Sequence, residues 1–265
     1  MNCKNCNKAL KDTQKYCDEC GAKVIQNRLT PKVLAAQVNE QFLSIDNKFL
    51  QTFIALTVNP DKVIDGFING QRKTYINVVT YYAVSLTILG FQMFILKNFF
   101  PDFLESQDTI FNESFKMSGN GNKNPFENLP DLFNNYQGVF FSIFMPFIAV
   151  GTWLVYIDKR KYNYTEHLVI NLYLTAQTIY FSFFIFILMA VFGIKDYLFA
   201  TIIITLPLIL YGAYVFKKLY NSKFINAFIK YCAAYIIYMF VFSIIMFFIT
   251  IVIVIYLIST GKFNP

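Results

Sequence analysis

The chain has 265 residues, of which 56% are hydrophobic, 19% aromatic and only 15% charged, with a formal net charge of +7. Soluble domains carry about 25% charged residues, so a soluble globular protein is excluded and an all-α polytopic membrane protein is expected. The basic excess does not call for nucleic acid. Of the 23 Lys and Arg, 18 fall in segments assigned below to one membrane face (eleven before Tyr75, three after the second span, four after the fourth), as the positive-inside rule requires. That face suits anionic lipid headgroups, and no basic groove with aromatic platforms is visible.

The first residues are polar where a signal peptide would be apolar, so the first span is expected to act as the insertion signal. Cys3, Cys6, Cys17 and Cys20 form two C-x-x-C pairs separated by ten residues. Each pair can present two thiolates to one ion through a tight turn, and four thiolates suit tetrahedral zinc. Gly21 follows the second pair, where tolerance of positive φ helps the turn close. Disulfides are the structural alternative, disfavoured because the Lys-rich surroundings are assigned to the reducing cytosol; redox chemistry and an iron centre are the others. The expectation for residues 1–23 is a cytosolic ribbon with one structural zinc. So small a module builds no core, and the metal would supply about 10 kcal/mol of its folding free energy. Its surface either only folds the N-terminus or docks a protein partner.

Residues 24–75 read as a linker and amphipathic surface helices. Thr30 and Pro31 can open one helix. From Lys48, Phe49, Leu50, Phe53, Ile54 and Leu56 recur at helical spacing, and Asn59 with Pro60 stops that helix and starts another. The second carries Val63, Ile64, Phe67 and Ile68 and ends at Gly70 before the basic pair Arg72 and Lys73. Both are too short to span, and are expected to lie on the inner membrane surface or to pack on the spans.

Five spans are expected over about 76–96, 138–157, 168–192, 198–216 and 231–258 in the membrane domain 76–265, since about 20 residues cross a 30 Å core. The last, at roughly 42 Å, must tilt or project, and Lys230 at its start can snorkel. Lys159, Arg160 and Lys161 follow span two, and Lys217 and Lys218 follow span four. With Arg72 and Lys73 they place these loops and the N-terminus in the cytosol. The loop 97–137, with Asp102, Glu105, Asp108, Glu113, Glu127 and Asp131, falls outside, as does the C-terminus.

The deep spans hold no charged residue, and the polar side chains singled out in spans one, three and four are Ser85, Thr87, Gln92, Asn171, Thr175, Gln177, Thr178, Thr201 and Thr205. These are expected to hydrogen-bond between helices, at about 0.6 kcal/mol each. Glu166 and His167, the only histidine, stand at the start of span three. One reading is helix-start chemistry, with Thr165 as N-cap and Glu166 complementing the dipole. The other is the inner end of a ligand or proton path from His167 through Asn171 to Thr175 and Thr178, with Glu166 paired to Arg72 or Lys73. No nucleophile-base-acid set, phosphate loop or H-E-x-x-H motif is present, so no enzyme is expected.

YCDECG at Tyr16–Gly21, FLQTFIALTVNP at Phe49–Pro60, GQRKTY at Gly70–Tyr75 and YTEHLV at Tyr164–Val169 resemble an uncharacterised bacterial family of zinc-ribbon-headed multi-pass membrane proteins, a domain of unknown function. The resemblance implies residence in the bacterial inner membrane and no established activity. It also implies histidines six and eight residues after the EH pair, where Tyr173 and Thr175 stand here. The five-span, N-in arrangement is similar to the Yip family in architecture alone. The reading that follows is a non-enzymatic inner-membrane protein whose zinc ribbon recruits or organises a partner. A small transporter or channel, or a membrane-disrupting effector, is the alternative, and no oligomeric state is assigned.

Overall fold

The structure is a computed structural model, which describes residues 2–11, 13–22, 24, 48–101, 103–104, 129–194 and 196–259. The helix expected after Pro31, most of the acidic outer loop and the terminal tail lie outside the described residues. The chain divides into two compact units, Met1–Asn47 and Lys48–Pro265. Residues 48–75 therefore pack with the spans.

The larger unit is all-helical among the described residues. Its helices are α1 (Lys48–Val58), α2 (Pro60–Ile68), α3 (Val78–Phe99), α4 (Leu129–Asn135), α5 (Gln137–Val155), α6 (Tyr164–Val191), α7 (Tyr197–Tyr220) and α8 (Phe224–Ser259). Five of them, α3 and α5 to α8, are long and apolar enough to cross a membrane. A helix satisfies its backbone polar groups internally, which lipid demands. Pro146 and Pro207 lie inside α5 and α7 without ending them.

The ends show local chemistry that the span estimates missed. α6 starts four residues before the expected Leu168, because Asn163 and not Thr165 is its N-cap. The Asn163 side chain accepts from the Glu166 amide at 2.9 Å, and Glu166 accepts from the Asn163 amide at 2.7 Å. This reciprocal pair satisfies two orphan donors of the first turn. It also turns the Glu166 carboxylate back onto its own helix rather than toward Arg72 or Lys73. Asp196 caps α7 through the Phe199 amide, and Asn221 ends it at φ 45°. α8 begins at Phe224, so Lys230 lies within the helix instead of at its start.

Helices α5, α6, α7 and α8 form a closed ring in which each packs against the next and α8 returns to α5. α5 and α8 approach closely where Gly151 faces Ala234: an added Cβ would lie 2.9 Å from the Ala234 carbonyl. α3 packs outside the ring along α6 and runs parallel to it. The Tyr81 ring packs tilted on Tyr173 and edge-on to Tyr180 near the start of α3, and Phe100 meets Phe186 beyond its end.

The two amphipathic helices bury one face on this bundle, the packing on the spans that the sequence left open. In α1, Thr52 and Leu56 are buried and Phe53 packs on Tyr180, Phe181 and Phe184, while Leu50, Ile54 and Val58 face outward. Phe181 meets Tyr211 at 4.9 Å near the middle of α6 and α7, so α1 sits beside mid-length of both. Its backbone carbonyls receive side-chain donors there. Gln177 donates to Phe53 O, Tyr211 to Leu56 O at 3.0 Å, and Tyr214 to Val58 O. The last carbonyls of a helix lack intrahelical partners, and away from water they need protein donors. From Asn59 and Pro60 the chain turns into α2, whose Val63 and Ile64 are fully buried and whose Phe67 meets Tyr173.

One end of the bundle gathers the basic loops. Lys161 pairs with Asp65 of α2 at 3.4 Å and donates to Leu219 O of α7, while the Tyr162 hydroxyl donates to Asp65. Asp158 pairs with Lys230 at 2.7 Å. Lys159 and Arg160 are exposed, Lys218 stands over the Tyr214 ring, and Arg72 stands over Phe67.

Candidate functional sites: a thiol cluster and a polar bundle core

The N-terminal unit brings Cys3, Cys6, Cys17 and Cys20 together, with all four Sγ atoms within 4.8 Å of one another. Cys3 and Cys20 lie at 3.6 Å, as do Cys6 and Cys17. Sulfurs bound tetrahedrally at about 2.3 Å from one ion stand roughly 3.8 Å apart, so the cluster fits a single ion.

Two matching turns build it. Asn7 donates its amide to Cys3 O with φ 60°, and Gly21 donates to Cys17 O with φ 70°. The sequence pointed to Gly21; Asn7 is its counterpart, and asparagine is the side chain that best tolerates the left-handed region. Lys8 ties the turns together by pairing with Asp18 and Glu19, each at 3.3 Å. The Ala22 amide and the Asn5 side chain favour the Cys20 thiolate and draw it down to about 6. At Cys6 the Lys8 amide also favours the thiolate, but the neighbouring thiols and burial outweigh it and push the group up to about 12. Thiolates this crowded repel one another until a cation neutralises them.

The second site lies in the bundle. His167 is buried at 1% exposure, its Nδ1 lying 3.1 Å from Thr152 Oγ1 of α5 and its Nε2 lying 3.0 Å from the Tyr220 hydroxyl of α7. Asn171 Nδ2 donates to Thr152 Oγ1 at 2.8 Å and to His167 O at 2.7 Å, and the Thr152 hydroxyl donates to Ala149 O at 3.1 Å. A hydroxyl has one donor and two acceptor positions. For a neutral ring, His167 therefore carries its hydrogen on Nδ1, and Nε2 accepts from Tyr220. Tyr162, Phe216 and Tyr156 close around the imidazole. Both ring nitrogens are engaged, so the group pins α5, α6 and α7 together and leaves no position for a substrate on the imidazole.

Of the expected polar stripe, Asn171 joins this network, while Thr175 and Thr178 line a cavity of about 350 Å³ beside it. Tyr173 turns the other way and donates to Ile76 O at 2.8 Å. Several span hydroxyls bond within their own helix instead of bridging: Ser85 to Tyr82 O, Thr87 to Ala83 O and Thr178 to Thr175 O. The amides bridge, since Gln177 accepts from Tyr81 and donates to Thr57 of α1.

A family model described as "Protein of unknown function (DUF3667)" matches residues 46–90, which hold α1, α2 and the first part of α3. No curated protein matches the chain, and no solved structure matches it.

Proposed function

We propose that this chain is a non-enzymatic protein of the bacterial inner membrane, with its N-terminus in the cytosol and its C-terminus outside. Its thiol cluster holds one zinc ion and presents the folded ribbon to a protein partner. The observation that carries the reading is the convergence of four sulfurs on two matching turns. Four thiolates fill a tetrahedral shell, and a closed shell without a water position is structural. The metal chemistry is then that of a fold-maker, supplying about 10–16 kcal/mol in apparent terms to a module too small for a core. The basic loops around Lys161 and Lys230 gather at one end of the bundle, which supports a cytosolic assignment for that end.

The test uses the full chain purified under reducing conditions, with metal analysis, and crosslinking in native membranes before and after Cys3→Ser. One zinc per chain, with adducts that vanish in Cys3→Ser while the membrane unit keeps its yield, is the expected result. Metal-free wild-type protein, or the same adducts in the metal-free variant, would overturn it. For orientation, a cysteine introduced at Gly121 should react with an impermeant maleimide in intact cells and one at Asn163 should not.

A further inference from the structure

We infer that the cavity between α5, α6 and α8 is a binding site for a neutral membrane amphiphile with a hydroxyl-and-ester head, of the diacylglycerol class. The cavity measures about 350 Å³ and is lined from α5, α6 and α8, within the range of small-ligand sites and in a place where bundles build them. This inference stands apart from the thiol cluster.

The lining chooses the ligand. Asn171 is 1% exposed, and its amide hydrogens are committed to Thr152 and to His167 O. Its Oδ1 has no partner among the described residues, although it borders the cavity. Asn171 lines the cavity with both amide hydrogens already engaged, so what it can offer a ligand there is the acceptor Oδ1, which suits a hydroxyl donor. α8 contributes Tyr231, Tyr235 and Tyr238 to the lining, and α6 contributes Thr175, one turn from Asn171. Their hydroxyls have no hydrogen-bond partner among the described residues and can donate to ester carbonyls.

Charge excludes the phospholipid alternative. The lining contains no Lys, Arg, His, Asp or Glu. A phosphate at that depth would stay unpaired, which lipid surroundings penalise heavily. An uncharged head with one hydroxyl and two ester carbonyls matches the groups present. Phe141, Tyr235 and Met239, exposed by 38%, 45% and 42%, border the cavity on α5 and α8. They give acyl chains an apolar exit into the bilayer. At its inner end the His167–Thr152–Asn171 network closes the cavity.

The experiment places the full chain in phosphatidylethanolamine and phosphatidylglycerol nanodiscs with a photoactivatable, alkyne-tagged diacylglycerol, and in parallel with the same tag on phosphatidylglycerol. The diacylglycerol probe should label peptides of α6 or α8, and unlabelled diacylglycerol should compete. Thr175→Val, which removes only a hydroxyl, should lower labelling about fivefold, the worth of one neutral hydrogen bond. Met239→Trp, which narrows the exit, should lower it as well. Both variants avoid the His167 network, so their folded yield should match wild type. Equal, uncompeted labelling by the two probes would mean bulk acyl contact and would overturn the assignment. Unchanged labelling in both variants would do the same.

Discussion

Replacing Thr152 by Val tests whether the buried network holds the bundle together. Valine has nearly the shape of threonine, so no cavity opens, and the loss is confined to the hydroxyl. Three hydrogen bonds meet at that oxygen: from His167, from Asn171 and to Ala149 O. At the average of about 0.6 kcal/mol measured for membrane interhelical bonds, their sum is about 2 kcal/mol. The substitution also strands a His167 and an Asn171 donor, at about 1–3 kcal/mol each, and adjacent losses do not add fully. The expected destabilisation is therefore about 2–4 kcal/mol. It would be read from reversible unfolding in mixed micelles titrated with dodecyl sulfate. Thr152→Ser keeps the oxygen and should recover most of the loss. A Val variant within about 0.5 kcal/mol of wild type, the ordinary range for inert surface changes, would refute the network's role, as would Ser and Val variants of equal stability.

Other substitutions probe the packing and the loops. Gly151→Val places a side chain against the Ala234 carbonyl, 2.9 Å from where its Cβ would stand, and should lower thermal stability by about 1–3 kcal/mol as an overpacked contact; an unchanged melting temperature would show that α5 and α8 do not meet there. The double change Tyr211→Phe with Tyr214→Phe strips the donors from the Leu56 and Val58 carbonyls, and a spin label at Ile54 should then gain water accessibility. The Lys230 ammonium holds the Asp158 carboxyl below its ordinary 3.8. A depressed folded value contributes stability above the unfolded one and loses it as pH falls through the folded value. The melting temperature should thus drop on acidification below about pH 4 less steeply in Asp158→Asn than in wild type; parallel curves would count against the pair.

The number of spans and their identities were readable because about 20 apolar residues have few alternatives to crossing a membrane. Their ends were less so, although N-x-x-E from Asn163 to Glu166 is a capping signature that could have located the start of α6. The four cysteines were legible from spacing alone. Thr152, Tyr220 and Asp65 were not, because their importance is tertiary. Thr152 matters only since the ring of helices sets α5 against α6, and no periodicity within one helix encodes that. The placement of the two amphipathic helices stayed open for a related reason. α1 has apolar residues on two faces, one for Tyr180 and Phe181 and one left outward, and composition cannot say which face meets protein.

α1 and α2 form a re-entrant segment on one side of the helical unit. Phe49 lies by Tyr81 near the start of α3, and α2 returns to the Tyr162 and Lys161 end, so the segment goes in and comes back by one side. At about 1.5 Å per residue, eleven residues span only some 17 Å. At the other end of the spans the described residues hold the shorter α4, by Lys97 and Phe140. On the side of the basic loops, α1 covers parts of α6 and α7. Those covered faces meet protein in place of acyl chains, so over that stretch the spans are held by side-chain donors and ring contacts and not by lipid.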